Sequence, residues 1–139
     1  MTKVLVNIHS SEGITTEIKG VSQGRLLVER RPRVGTPGGM DFGGGEILCF
    51  AAGTCLYNNL RRIANDRGII LTKIAIEVTA EWDDPSPVAR EIRILPRIEA
   101  EASPSEIQEL INRALEESSV ANTLQRGVPV RIFLPEGDE

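Results

Sequence analysis

Cys49 and Cys55 are the two thiols of the chain, and both lie in one stretch, "GGGEILCFAAGTCLYNNLRRI", residues 43–63. A thiolate attacks peroxides, disulfides and electrophiles, and it forms only where positive charge or hydrogen-bond donors stand nearby. The plainer use of a cysteine in an apolar stripe is as a small core hydrophobe. The two cannot bridge each other while they share a helix. Six residues separate them by about 9 Å along the axis and about 120° around it, beyond the Cα separation of about 7 Å that a disulfide tolerates. Cys55 lies mid-helix, too far from that helix's N-terminus to gain from its dipole. Charge must then come from elsewhere in the chain. Arg30, Arg31 and Arg33 precede a Gly-rich loop that leads into this helix, and they are the candidates. The commoner role of any one such arginine is a solvated charge at a strand end. Cys49 lies off the face shared by Leu48, Ala52 and Cys55 and is expected to be core.

The elements that must hold these thiols follow from hydrophobic period. "KVLVNIHS" places Val4, Val6 and Ile8 on one face with period two. "GITTEIKG" and "GRLLVERR" follow, set apart by Gly13 and by "GVSQG", which predicts a three-stranded antiparallel meander. Residues 32–45, "PRVGTPGGMDFGGG", read as a long loop of the kind that carries function. From Glu46 to about Asp66 the pattern turns helical, with Leu48, Ala51, Ala52, Cys55, Leu56, Leu60, Ile63 and Ala64 in a broad apolar stripe. Arg61, Arg62 and Arg67 suit the C-terminal end of this helix, and Gly68 suits its stop.

Two long strands are predicted from "IILTKIAIEVTAEWD" and "VAREIRILPRIEAE", joined by a turn at "DPSP". Pro96 marks an edge or a bulge in the second. "SPSEIQELINRALEES" predicts a helix with Ser103 as N-cap, Pro104 at the first position and Glu106 completing a capping box. "SVANTLQRG" reads as a short helix and "VPVRIFLPE" as a last strand. The principal order is β-β-β-α-β-β-α-β, an α+β class in one domain spanning residues 1–139.

Composition narrows the function. A net charge of −4 argues against nucleic acid or an anionic membrane as partner, and 4% aromatic residues are too few for a base-stacking platform. No run approaches the ~18 apolar residues of a membrane span. The alternating N-terminus is unlike an export signal, which points to a reducing, cytoplasmic compartment with free thiols. One histidine and two cysteines without ligand-like spacing make a metal site unexpected, and no cofactor is implied.

The segment "GGGEILCFAAGTCLYNNLRRIANDRG", residues 43–68, resembles the central-helix segment of the OsmC/Ohr family, which runs proline, any residue, Glu, Leu, Leu and then "AALGSC". Glu46, Ile47, Leu48, Ala51, Ala52, Gly53, Thr54 and Cys55 match it in order. "SSVANTLQRGVPVRI", residues 118–132, is similar to the family's C-terminal segment, where "CPVSNTL" leads into a last strand. Val120, Asn122, Thr123 and Leu124 match there. The resemblance implies an intertwined homodimer of α+β subunits with central helices buried between two sheets. In active members a first cysteine attacks an organic hydroperoxide and becomes a sulfenic acid, and a second closes a disulfide with it. An arginine and a glutamate keep the first cysteine ionised.

Cys55 matches the first cysteine. Ser118 stands at the position of the second, followed by Ser119 in place of proline, and a hydroxyl cannot turn a sulfenic acid into a disulfide. The family's glutamate lies ten residues before its cysteine. Gly45 holds that position here, and Glu46 is one residue on, about 100° around the helix. Two functions are therefore expected. In the first, Cys55 reduces organic hydroperoxides with help from Glu46 and from Arg31 or Arg33, and a low-molecular-weight thiol restores it. In the second, a non-catalytic dimer binds a small apolar ligand in a pocket near Cys55 lined by Met40 and Phe42.

Overall fold

The computed structural model of the chain describes residues 3–11, 17–29, 42–83 and 85–135, with the backbone alone for 9–11, 17–21 and 28–29. Residues Met1–Ile47 and Leu48–Glu139 form two compact units. Within the first, β1 (Val6–Ser11), β2 (Glu17–Ser22) and β3 (Arg25–Glu29) make an antiparallel meander in the order β1-β2-β3. The β2–β3 connection is two residues long, with Gln23 at φ 50° and Gly24 at φ 75°. Two positive φ values in succession match the twist of the flanking strands, which is why a glycine closes the turn. The strand expected from Lys3 begins three residues later, at Val6. Val4, Val6, Ile8, Leu26 and Leu27 are exposed.

The second unit is built around α1 (Gly44–Arg67), which contributes most of its turns to it. Ala52, Leu56, Leu60, Ile63 and Ala64 recur three and four residues apart on one face and are buried. That face meets two partners. One is the hairpin of β4 (Leu71–Trp82) and β5 (Ala89–Ala100), whose inner row includes Ile74, Ile76, Ile94 and Ile98. The other is α2 (Pro104–Glu116), through Leu110 and Ala114. Leu56, Leu60 and Leu110 are fully buried, each worth about 1.5–3 kcal/mol of burial free energy. Gly53 packs close against β4, since a Cβ there would meet Val78 Cγ2 at 3.2 Å.

The hairpin pairs Ile74 with Ile98 and Val78 with Ile94, which keeps the apolar side chains on one face. Pro96 sits opposite Ile76 in register. Among the described residues β5 pairs with β4 alone, so Pro96 lies on an edge strand. The irregularities fall elsewhere, between Leu71 and Lys73 and between Glu81 and Trp82.

Ser103 caps α2 as expected, its Oγ accepting from the Glu106 N–H at 3.2 Å. The Glu106 carboxylate accepts from that same hydroxyl at 3.1 Å rather than from the Ser103 backbone. A short helix, α3 (Ser119–Arg126), follows, and Gly127 ends it.

One expectation is overturned. Residues 128–135 are not a strand. Val130, Ile132, Phe133 and Leu134 are 83–89% exposed. A strand needs an edge to pair with, and among the described residues this segment has none. The element order therefore ends β-β-α-α. No helix among the described residues is long and apolar enough to cross a membrane.

Candidate active site at the meeting of two helices

Cys55 lies on a half-buried flank of α1, and its Sγ is 3.6 Å from Ser119 Oγ. Ser119 opens α3, and Ser118 is its N-cap, with its Oγ accepting from the Ala121 N–H at 3.2 Å. The first N–H groups of any helix have no partner within it and carry the positive end of its dipole. Here they stand beside a thiol from another helix.

Two opposing effects act on Cys55. Burial pushes its thiol up. Hydrogen bonds from the Ser118 hydroxyl, the Val120 backbone, and the Ser119 hydroxyl and backbone pull it down, and the net position is below the ordinary thiol value. These four donors are uncharged.

Cys55 was expected to need an arginine because it is remote from the N-terminus of its own helix. That premise holds for α1, and the N-terminus of α3 sets uncharged donors beside the sulfur. The signal was present in the sequence: two serines ahead of "VANTLQRG" form a helix start with a glycine stop. Their distance from Cys55 was not legible, because Cys55 and Ser119 lie 64 positions apart in the chain.

The other expected site residues are distributed as follows. Ser118, at the position of the family's second cysteine, is 1% exposed and borders Cys55. Glu46 is exposed in the first turn of α1, and its Oε1 accepts from the Gly43 N–H at 3.3 Å. Phe42 is exposed. Arg30, Arg31, Arg33 and Met40 lie outside the described residues.

Cys49 corrects another expectation. It is not fully buried core but half-buried, on the wall of an open, mostly apolar groove of about 600 Å³. Phe50, Gly53, Thr54, Tyr57, Ile76 and Val78 complete that wall. The small size of Gly53 leaves the groove open there, and Cys55 is not among its lining residues. Both thiols are free, as their spacing requires. No cluster of metal-ligating side chains occurs among the described residues.

A pH dependence follows. With Cys49 replaced by alanine, the rate of Cys55 alkylation by iodoacetamide is expected to rise with pH and reach half its maximum at a lower pH than the same thiol shows in the unfolded chain. A midpoint at or above that value would contradict the donor arrangement. The linked stability has a definite sign, because the native pKa is the lower one. Ionisation of Cys55 stabilises the fold fully above the unfolded-state pKa, and this contribution fades as pH falls through the native value.

Residues 37–133 match the family model described as OsmC-like protein. No curated protein matches the chain. Solved structures do. An OsmC-like protein from Mycoplasma pneumoniae is 20% identical, with a TM-score of 0.69 over 90% of this chain and 89% of its own. An organic hydroperoxide resistance protein OsmC from Legionella pneumophila is 14% identical, with a TM-score of 0.55 over 90% of each chain. The organic hydroperoxide resistance protein OhrB of Bacillus subtilis is 17% identical, with a TM-score of 0.55 over 87% of this chain and 90% of its own. At these identities the structural likeness speaks for the fold, and the family model covers most of the sequence. By that family model the chain belongs to the OsmC-like protein family.

Proposed function

We propose that the protein reduces organic hydroperoxides through Cys55 and that an external low-molecular-weight thiol completes the cycle. The observation that carries this reading is the Cys55 sulfur at the first turn of α3, with hydrogen-bond donors that favour the thiolate. The thiolate attacks the distal peroxide oxygen and the O–O bond breaks. The leaving alkoxide takes a proton and departs as the alcohol, and Cys55 becomes a sulfenic acid. A first external thiol condenses with the sulfenic acid, releasing water and forming a mixed disulfide. A second external thiol displaces Cys55 and leaves as the oxidised disulfide. Cys49 is not used. Arg31, Arg33 and Glu46 retain, within this proposal, the helper roles expected from the sequence.

The relatives from Legionella and Bacillus, whose names speak of organic hydroperoxide resistance, support the class of substrate. A homodimer belongs to the same proposal. Its support is the exposed apolar run Val130, Ile132, Phe133 and Leu134, a kind of surface that soluble chains usually cover.

The test is consumption of cumene hydroperoxide with and without a small thiol, followed by mass spectrometry in the presence of dimedone. Turnover should require the thiol, and dimedone should add to Cys55 alone. A Cys55 still unmodified after excess oxidant would end the peroxidase reading. The second reading, a non-catalytic dimer that holds a small apolar ligand, would then take its place. The groove beside Cys49, with Phe50, Tyr57, Ile76 and Val78 on its wall, favours that alternative.

A further inference from the structure

Cys55, Asn59 and Arg62 are spaced i, i+4 and i+7 on α1, so they form one stripe along the helix. Each reaches the corner where α2 ends and α3 begins. Cys55 meets Ser119. Asn59 Nδ2 donates to the Ala114 carbonyl at 3.1 Å, in the last turn of α2. Arg62 donates to Glu117 Oε2 at 2.9 Å. Arg113 grips the other oxygen of Glu117 at 3.1 Å. Glu117 is the C-cap of α2 and the neighbour of Ser118. Inside the corner, Asn122 Nδ2 donates to the carbonyls of Glu116 at 3.0 Å and Ser118 at 2.8 Å.

This clamp answers a mechanical need. No residue of α3 is fully buried, so the packing of α3 alone does not aim its first turn. The N–H groups of Ser119 and Val120 serve Cys55 only if the corner before them is held to α1. The three bonds named above that run from α1 to it all come from the stripe on which Cys55 lies.

We propose that Asn59, Arg62 and Glu117 are positioning residues that keep the first turn of α3 on the Cys55 sulfur. The inference rests on the reading of Cys55 as the working thiol, but its test does not. The charged groups about the corner are Arg62, Arg113, Glu116 and Glu117, with Asp66 one turn beyond Arg62. Two mechanisms could link them to the thiol, and they differ in sign. Removing Glu117 takes away a negative charge, so a purely Coulombic effect would lower the Cys55 pKa. Loss of positioning would raise it, because the donors withdraw.

The experiment uses the full chain with Cys49→Ala and reads the Cys55 pKa from the pH dependence of its alkylation rate. Glu117→Ala and Arg62→Ala should each raise that pKa by about half a unit, about a threefold loss of thiolate at fixed lower pH. Asn59→Ala should raise it by about one unit, about tenfold. Arg62→Lys should restore most of the effect of Arg62→Ala. Arg67→Ala is the control: Arg67 joins α1 to α2 through Glu109 at 3.4 Å, away from the corner, and its removal should change nothing.

Exposed ion pairs add little to global stability, so the Glu117 and Arg62 variants should fold and decide the matter even if Asn59→Ala does not. An unchanged or lowered pKa in Glu117→Ala would overturn the proposal. So would an equal shift in Arg67→Ala. Peroxide turnover is not the readout, so an inert Cys55 would sink the peroxidase reading and leave this measurement intact.

Discussion

Hydroperoxide consumption by the Cys55→Ser protein should fall by a thousandfold or more, roughly the scale on which loss of a nucleophile acts. The expected cause is chemical rather than structural. Serine is close to cysteine in shape, Cys55 is only half-buried, and a hydroxyl can keep the contact with Ser119. The circular dichroism spectrum and melting temperature should therefore stay near those of the parent. Cys49→Ala, by contrast, should leave turnover within about twofold, because Cys49 faces the groove and not the first turn of α3. The comparison is made with cumene hydroperoxide and a small thiol at fixed pH. If Cys55→Ser kept half or more of the parent rate, the chemistry would have to lie elsewhere in the molecule.

The second large effect is expected at Ser118. This residue is buried, caps α3 and borders the Cys55 sulfur. In reducing buffer Ser118→Cys should cost about 1 kcal/mol, the usual loss when a helix N-cap is removed. Under oxidation the new thiol should attack the Cys55 sulfenic acid, expel water and form a disulfide. That bond would close a loop of roughly sixty residues, which corresponds to about 4 kcal/mol of stabilisation. The melting temperature should then rise on the order of 10 °C above that of the reduced variant. Thiol titration after one equivalent of hydroperoxide should find Cys49 alone. The variant should also resist overoxidation to sulfinic acid, which the parent can reach at high peroxide. Three free thiols and no thermal shift after oxidation would show that the α3 N-terminus does not lie where Cys55 can use it.

Corrections to the sequence reading cluster where long-range placement matters. The central helix, its buried stripe at Ala52, Leu56, Leu60, Ile63 and Ala64, and the β4–β5 hairpin were legible. Each is set by local period, and the burial that results preserves that period. Ser103 and Pro104 marked the start of α2 for the same local reason. The reading of 128–136 as a strand followed an apolar pattern that is present in the residues. Pairing is not a local property, and the described chain supplies no partner edge.

For the site, the sequence by itself determined which residue to watch. Its resemblance to the OsmC/Ohr motifs sets Cys55 at the position of the first cysteine and Ser118 where a second is expected, and spacing rules out Cys49 as the disulfide partner of Cys55. Only the tertiary structure decided what surrounds the sulfur. Cys55 and Ser119 are 64 positions apart, and nothing in local period says that the first turn of α3 will face α1. That orientation comes from the packing of Leu110 and Ala114 against Leu56 and Leu60 and from the bonds of Asn59 and Arg62. Local sequence sets where helices begin and end. Burial and long-range hydrogen bonds set which helix end a thiol meets, and a thiolate is stabilised by what it meets.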